Sequence, residues 1–424
     1  MFKILNKMKN SLELKIKEVA SIFLEKSKNK EIQIVSHFDT DGITSAAIIV
    51  QTLKELDIKF NLKIVKSLDQ DLIKNLKKNK ITIFLDLASG SMDYLKNSGL
   101  EEVFIIDHHE IVQEIPENVI IINPHLHEKQ KISSSGLTYL FSKEIDPKNK
   151  KFAKLAVIGM VGDKLEKEIE KFEILEDSEV KRKKGLLVYP ATRPLNRVLE
   201  FSSNPYIPGV TGDIKGVIEL LREANLNPIK GKYKSLLELD EKEMEKLITS
   251  IMLRNPQPKD KRIIGDIFLV KLYNQLEDSR ELSAKINACS RSGKSEIAIQ
   301  FCMEIPSAKK AVETIHLKYK QELISGLDFI QKVEKIQGEE KTDNDFIGYF
   351  LLWLNEQLKD IREHEGRKKL GWEIEHELSG KADMKKLRAR VSFEECGLFD
   401  ITSEEMLSER AMTISNWFKE RLQL

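Results

Sequence analysis

The sequence predicts an α/β protein: an open parallel sheet with helices on both faces, followed by a smaller C-terminal α/β domain. Three observations carry this reading. From residue 31 onward, short apolar runs alternate with amphipathic helical stretches, the written form of a parallel sheet covered by helices. Several of those runs end directly on an acidic residue, and the carboxyl ends of parallel strands are where open sheets bind ligands. The length of 424 residues also exceeds what one compact core usually holds, so two or three domains are expected.

The elements follow in order. Residues 1–30 are apolar at helical spacing but studded with lysine and glutamate, so an N-terminal helix is expected rather than a signal peptide. Strands are expected at 32–36, 62–65, 81–85, 103–106 and 119–122, with helices at 43–56, 68–77, 92–97, 136–141 and 152–161 between and after them. Together these make a catalytic domain over 31–165. The charged stretch 164–184 predicts one or two exposed helices. Residues 186–212 gather Pro190, Pro194, Pro205, Pro208, Gly209 and Gly212 among Arg193, Arg197, Tyr189 and Tyr206, the composition of an ordered polar loop. Helical patterns at 214–225 and 241–253 complete a linker region over 166–258. A second domain is expected over 259–424, with strands at 263–272 and 297–303, long charged helices at 308–337 and 346–362, and a mixed tail from 371.

Composition excludes several classes. The 69 basic and 68 acidic residues leave a net charge of +1, so any nucleic-acid site must be a local groove rather than a global basic field. Cys289, Cys302 and Cys396 lie far apart, which argues against a disulfide framework and a thiolate zinc site and for a reducing, cytoplasmic setting. The apolar run 46–50 is far too short to span a membrane, and nothing elsewhere approaches the length needed.

The chemistry is concentrated where the acids fall. Asp39 follows the first expected strand, Asp86 the third and Asp107 the fourth, so separate segments deliver carboxylates to one sheet edge. Crowded carboxylates raise each other's pKa unless a cation sits among them. The run His37-Phe38-Asp39-Thr40-Asp41-Gly42 offers two acids at alternate positions, and Gly42 is expected to allow a tight turn into the next helix. His108 and His109 add imidazoles. Asp163 ends an apolar helical stretch, directly after Gly162. Oxygen and nitrogen ligands without thiolate favour two divalent ions, Mn2+ or Mg2+, over structural zinc. Such a pair, roughly 3.5 to 4 Å apart, suits hydrolysis of phosphate esters. Ser133, Ser134, Ser135 and Gly136 precede a helical pattern, so their amides and hydroxyls are expected to meet a substrate anion. Arg193, Arg197 and Arg291 are candidate phosphate contacts in a groove for a single strand.

The run Asp107-His108-His109, with His37 to Gly42, Asp86 and Gly159 to Asp163 in the same order, resembles the DHH phosphoesterase superfamily. That resemblance implies Asp39 and Asp86 as ligands of one ion, and Asp41, Asp86, His108 and Asp163 as ligands of the other. It implies His109, beside Asp107, as the catalytic contact to the scissile phosphate. Where many members carry a metal-binding histidine four residues before the first aspartate, this sequence has Val35, and His37 stands as its substitute. Thr192 to Leu195, Asn204 to Gly209 and Asn287 to Gly293 look most like the RecJ-type nucleases, in particular the archaeal branch related to a replication-fork subunit of the eukaryotic helicase. The resemblance thus implies an exonuclease acting on single-stranded DNA or RNA, replication-fork proteins as partners, and a second domain of the DHH-associated type. The family's terminal glycine-rich loop with its histidine has no counterpart; Cys396-Gly397-Leu398 is a poor remnant of it. That leaves room for two other readings: a phosphodiesterase of very short or cyclic oligonucleotides, and a replisome scaffold.

Overall fold

The computed structural model describes residues 11–127, 130–188, 190–202, 207–254, 264–336, 390–393 and 397–400, with side chains up to 321. Two compact units divide at 319/320. The first is built on a five-stranded, all-parallel sheet of order β2-β1-β3-β4-β5: β1 (Ile32–His37), β2 (Phe60–Val65), β3 (Ile81–Leu85), β4 (Glu102–Ile106) and β5 (Val119–Ile122). Strand order reverses direction between β1 and β3, which opens a crevice at their carboxyl ends.

Alternation along the central strands sorts their side chains onto two faces. Ile32, Ile34, Ile81, Ile83, Leu85, Phe104 and Ile106 pack on one side in the larger core. Their neighbours Val35, Phe84, Val103 and Ile105 pack on the other, against α3 (Gln70–Lys74) and α4 (Met92–Lys96), where Leu72, Ile73, Met92 and Leu95 meet them. On the first face lie α1 (Leu12–Lys26), α2 (Thr40–Glu55), α5 (Ser134–Ile145) and α6 (Ala153–Gly162). Ser11 caps α1, and Phe23 seats its ring edge-on to Phe104 and Phe141 at 5.4 and 5.5 Å. α2 and α6 are buried along most of their length because other helices and the sheet cover them, and α6 is accordingly apolar on nearly every side.

Close helix approach needs glycine. A Cβ on Gly159 of α6 would lie 2.1 Å from Ser135 Oγ and 2.5 Å from Thr44 Oγ1, so no other residue lets α2, α5 and α6 meet there. Gly42 differs from the turn expected of it: it lies inside α2, and a Cβ would sit 2.3 Å from the His37 carbonyl. Its lack of a side chain lets the helix start directly against the end of β1.

The later part departs from expectation in three places. The charged stretch forms a short helix, α7 (Ile174–Asp177), and then a strand, β6 (Lys181–Leu186), rather than helices alone. β6 pairs antiparallel with β7 (Ile264–Leu272), which pairs with β8 (Gln275–Asp278); residues 264–319, expected to open a separate domain, belong to the same unit as the parallel sheet. The apolar run 297–303, expected as a strand, is helical in α12 (Ser295–Cys302), since a short apolar run also suits a buried helix. Between β6 and β7, α8 (Leu195–Glu200), α9 (Ile214–Glu223) and α10 (Glu241–Arg254) gather a core of their own around Leu199, Val217, Leu221 and Leu247. α11 (Ser279–Arg291) follows β8, and α13 (Pro306–Ile336) follows α12.

In the second unit, β9 (Arg390–Phe393) and β10 (Gly397–Asp400) form an antiparallel pair. The helix expected at 346–362, Cys396, Tyr189, Asn204, Pro205 and Tyr206 lie outside the described residues.

Candidate metal centre

Asp39 is the N-cap of α2, and its Oδ1 accepts the Gly42 N–H at 3.0 Å. That bond turns Asp39 Oδ2 back toward His37, whose Nδ1 lies 3.1 Å from it and 3.2 Å from Asp86 Oδ2. Asp86 leaves the end of β3 in the left-handed region, at φ +59, a conformation that aspartate tolerates better than most residues. Held there by its N–H donating to the Ile106 carbonyl (3.0 Å), it reaches both sides of the crevice. Its other oxygen, Oδ1, lies 3.4 Å from His108 Nε2 and accepts the Ser134 hydroxyl at 3.0 Å.

Asp41, the second residue of α2, is 0% exposed and accepts the N–H groups of Ser134 (2.7 Å) and Ser135 (3.0 Å). The helix N-terminus expected to meet a substrate anion is therefore already occupied by a carboxylate of the chain itself. Ser134, Ser135 and Gly136 are buried; Ser134 and Ser135 hold Asp41 and Asp86 in place, while the Gly136 N–H donates to the N-cap Ser133. Asp163 caps the carboxyl end of α6 and faces His108 Nε2 at 3.3 Å.

Ligand-type atoms fall into adjoining groups within 4.8 Å: His37, Asp39 and Asp86; Asp41, His108 and Asp163; and Asp86, His108 and His109. Asp86 belongs to the first and third, and so stands between two candidate ion sites. Electrostatics agree. Burial, then the charges of Asp39 and Asp41, push Asp86 up to about 6. Burial, then Asp41, Asp86 and Asp39, push Asp163 up to about 11. For His37 and His108 burial opposes the charge, but the carboxylates around them win and raise them to about 10 and about 9. A cluster this crowded needs positive charge. Asp163 Oδ2 is buried with no aligned hydrogen-bond donor, a free ligand atom aimed into the group. Hard oxygens with imidazole nitrogen suit Mn2+ or Mg2+, and the residues present fit such ions.

Asp107 lies apart from these groups. Its Oδ1 accepts the N–H groups of His108 (2.8 Å) and His109 (3.2 Å) and lies 2.7 Å from His109 Nδ1, while Oδ2 accepts the Ser89 N–H at 3.0 Å. Burial would raise its pKa, but His109 and Ser89 outweigh burial and hold it at about 2. Asp107 therefore shapes the turn and fixes one ring nitrogen of His109, which leaves Nε2 of this half-exposed ring facing outward. Asn123, at the end of β5, donates to the Ser89 hydroxyl and the His109 carbonyl, both at 2.9 Å, and braces the same turn. Nothing in the sequence singled out Asn123 beyond its place after a strand.

The candidate arginines separate. Arg291 shares the Ser283 and Asn287 face of α11 at i, i+4 and i+8, the face that meets the start of α2. Arg193 pairs with Glu281 at 3.4 Å, on a different face of that helix.

With this geometry in hand, comparison with known proteins is informative. Residues 31–160 match the DHH family, N-terminal domain, and 189–259 match the DHH-CID domain. An uncharacterized protein of Methanocaldococcus jannaschii is 27% identical over 340 residues, 76% of this chain and 75% of that one. A Bacillus subtilis protein provisionally named as an SPbeta prophage-derived single-strand DNA-specific exonuclease, YorK, is 24% identical over 292 residues; these are 61% of this chain but only 49% of the relative. Among solved structures, CDC45 from Entamoeba histolytica aligns over 75% of this chain and 74% of that one, with a TM-score of 0.58 and 12% identity, which speaks to the fold alone. Exonuclease RecJ bound to manganese aligns over 75% of this chain and 69% of that one at a TM-score of 0.44 and 15% identity, too loose a superposition to build on.

Proposed function

Because this chain belongs to the DHH family, we propose that it is a metal-dependent phosphodiesterase, a RecJ-like exonuclease that hydrolyses single-stranded nucleic acid. The observation that carries the reading is the convergence of His37, Asp39 and Asp86 with Asp41, His108 and Asp163 into adjoining groups, one of them with a buried Asp163 oxygen that no aligned hydrogen-bond donor meets. In this reading His37, Asp39 and Asp86 hold one divalent ion, and Asp41, Asp86, His108 and Asp163 hold a second, Mn2+ or Mg2+. When bound, these ions supply Lewis acidity toward the phosphoryl oxygens and acidify water near neutral pH. The chain's own residues do the rest. Ser134 and Ser135 fix the carboxylates, so no reorganisation is needed when charge develops. Asp107 holds His109 by Nδ1, and Nε2 is left to carry a proton toward a non-bridging phosphate oxygen. Arg291 contacts the strand's backbone phosphates as a point of grip, and Arg193 extends that grip.

The named activity of the Bacillus relative supports a single-stranded substrate. The test is release of nucleotides from end-labelled single-stranded DNA and RNA with Mn2+, beside an Asp163→Asn control. Equal release by wild type and control would refute the reading. The fold likeness to CDC45 favours a second reading, a replication-fork scaffold whose catalysis is weak. Affinity capture from native extract that recovers no replication proteins would remove it and leave the first standing.

A further inference from the structure

Thr40 sits between two of the candidate ligands, Asp39 and Asp41, and is itself 1% exposed. As the first residue of α2 its N–H has no partner within the helix. That N–H donates to Asn287 Oδ1 at 3.0 Å. The Thr40 hydroxyl donates to the Ser283 carbonyl at 3.0 Å and lies 3.1 Å from the Ser283 hydroxyl. On its other side, a Cβ added to Gly162 would come within 2.9 Å of Thr40 Cβ, so the residue just before Asp163 presses on the same threonine. Three of the clustered carboxylates therefore flank or adjoin one buried residue, and what fixes that residue comes from α11.

Ser283 and Asn287 lie outside both matched domains, 31–160 and 189–259. We infer that Asn287, with Ser283, is a positioning residue of the metal centre: it sets the start of α2 so that Asp39 and Asp41 face their ions, and thereby makes ion affinity depend on a helix nearly 250 residues away in sequence. The separation of 247 positions explains why no local pattern announces the link. The hydrogen-bonded partners of ligating groups ordinarily govern affinity about 10- to 100-fold, and this contact acts one step further back, on the backbone between two ligands.

The inference rests on the metal-centre reading, and the test separates the two. Mn2+ is titrated calorimetrically into metal-free full-length wild type, N287A and N287D, with circular dichroism as the check on folding. N287A, which removes the acceptor, is expected to bind Mn2+ about tenfold more weakly while remaining folded. N287D keeps an oxygen at the same place and is expected to bind at least as tightly as wild type. If N287A fails to fold, N287S carries the same expectation, because its shorter side chain withdraws the acceptor. A packing role alone would lower the melting temperature of both variants and leave their Mn2+ isotherms superimposed on wild type, which overturns the inference. Wild type that takes up no Mn2+ would refute the metal-centre reading, and this inference with it.

Discussion

At the scale of single residues, Asp107 shows how a titratable group outside the candidate ion sites can still shape them. Its folded pKa of about 2 lies below the usual value near 3.9, so it stabilises the fold above that value and loses its contribution as pH falls from about 4 toward 2. His109 is raised, first by its bond to Asp107, so its share is full below about 6.5 and fades as pH climbs through its raised pKa. Asp107→Asn should cost on the order of 2 kcal/mol at neutral pH and flatten the acid limb of a denaturant-midpoint profile; an unchanged limb would remove Asp107 from the account. The same variant should lower turnover while leaving Mn2+ affinity intact, since His109 loses its orientation and the ion ligands do not. For the proposed ligands the sign is opposite in consequence: His37 and His108, raised to about 10 and about 9, would have to give up protons to bind ions, so Mn2+ affinity should rise between pH 6 and 9 in calorimetric titration. The candidate ligands Asp39 and Asp86 stood out in the sequence because an acid just after an apolar run is a strand-end acid. Asn123 did not stand out, and Asn287 did so only within a family-like segment, its contact with Thr40 hidden by 247 positions of chain.

At the scale of elements, the five strands of the parallel sheet were readable in the sequence. Ile81–Leu85 and Val119–Ile122 stand where their apolar runs begin and end, because strands buried on both faces are written as continuous apolar stretches. β6 was hidden for the converse reason: Lys181 to Lys184 carry no apolar alternation, and the strand exists through pairing with β7 more than 80 positions away. Helix packing yields the sharpest element-level expectation. Gly159→Ala must push Ser135 or Thr44 aside, and Ser135 holds Asp41 through its N–H. Overpacking of this kind costs about 1 to 3 kcal/mol, so chemical denaturation should show a loss in that range together with weakened Mn2+ binding. Phe23→Ala tests a different joint, α1 against the sheet and α5, and should cost about 3 to 5 kcal/mol without altering the isotherm.

At the scale of the whole molecule, the candidate metal centre draws on β1, α2, β3, β4, α5 and α6, with α11 behind them. No isolated segment contains it, so in the proposed reading ions would bind the folded chain far better than the unfolded one. Mass action then predicts about 2.7 kcal/mol of added stability at a hundredfold excess over Kd, visible as a rise in melting temperature with Mn2+ that a chelator reverses and Asp163→Asn abolishes. No helix among the described residues is long and apolar enough to cross a membrane.

The left-handed backbone at Asp86 also limits how this family of sites can decay. Among ordinary residues, only glycine and asparagine take φ near +59 at little cost. A lineage released from catalysis would lose its central carboxylate most cheaply by a single change to one of those two, with the crevice otherwise intact. Asp86→Asn is for the same reason the cleaner inactive control, since Asp86→Ala would mix a lost ligand with about 1 kcal/mol or more of backbone strain.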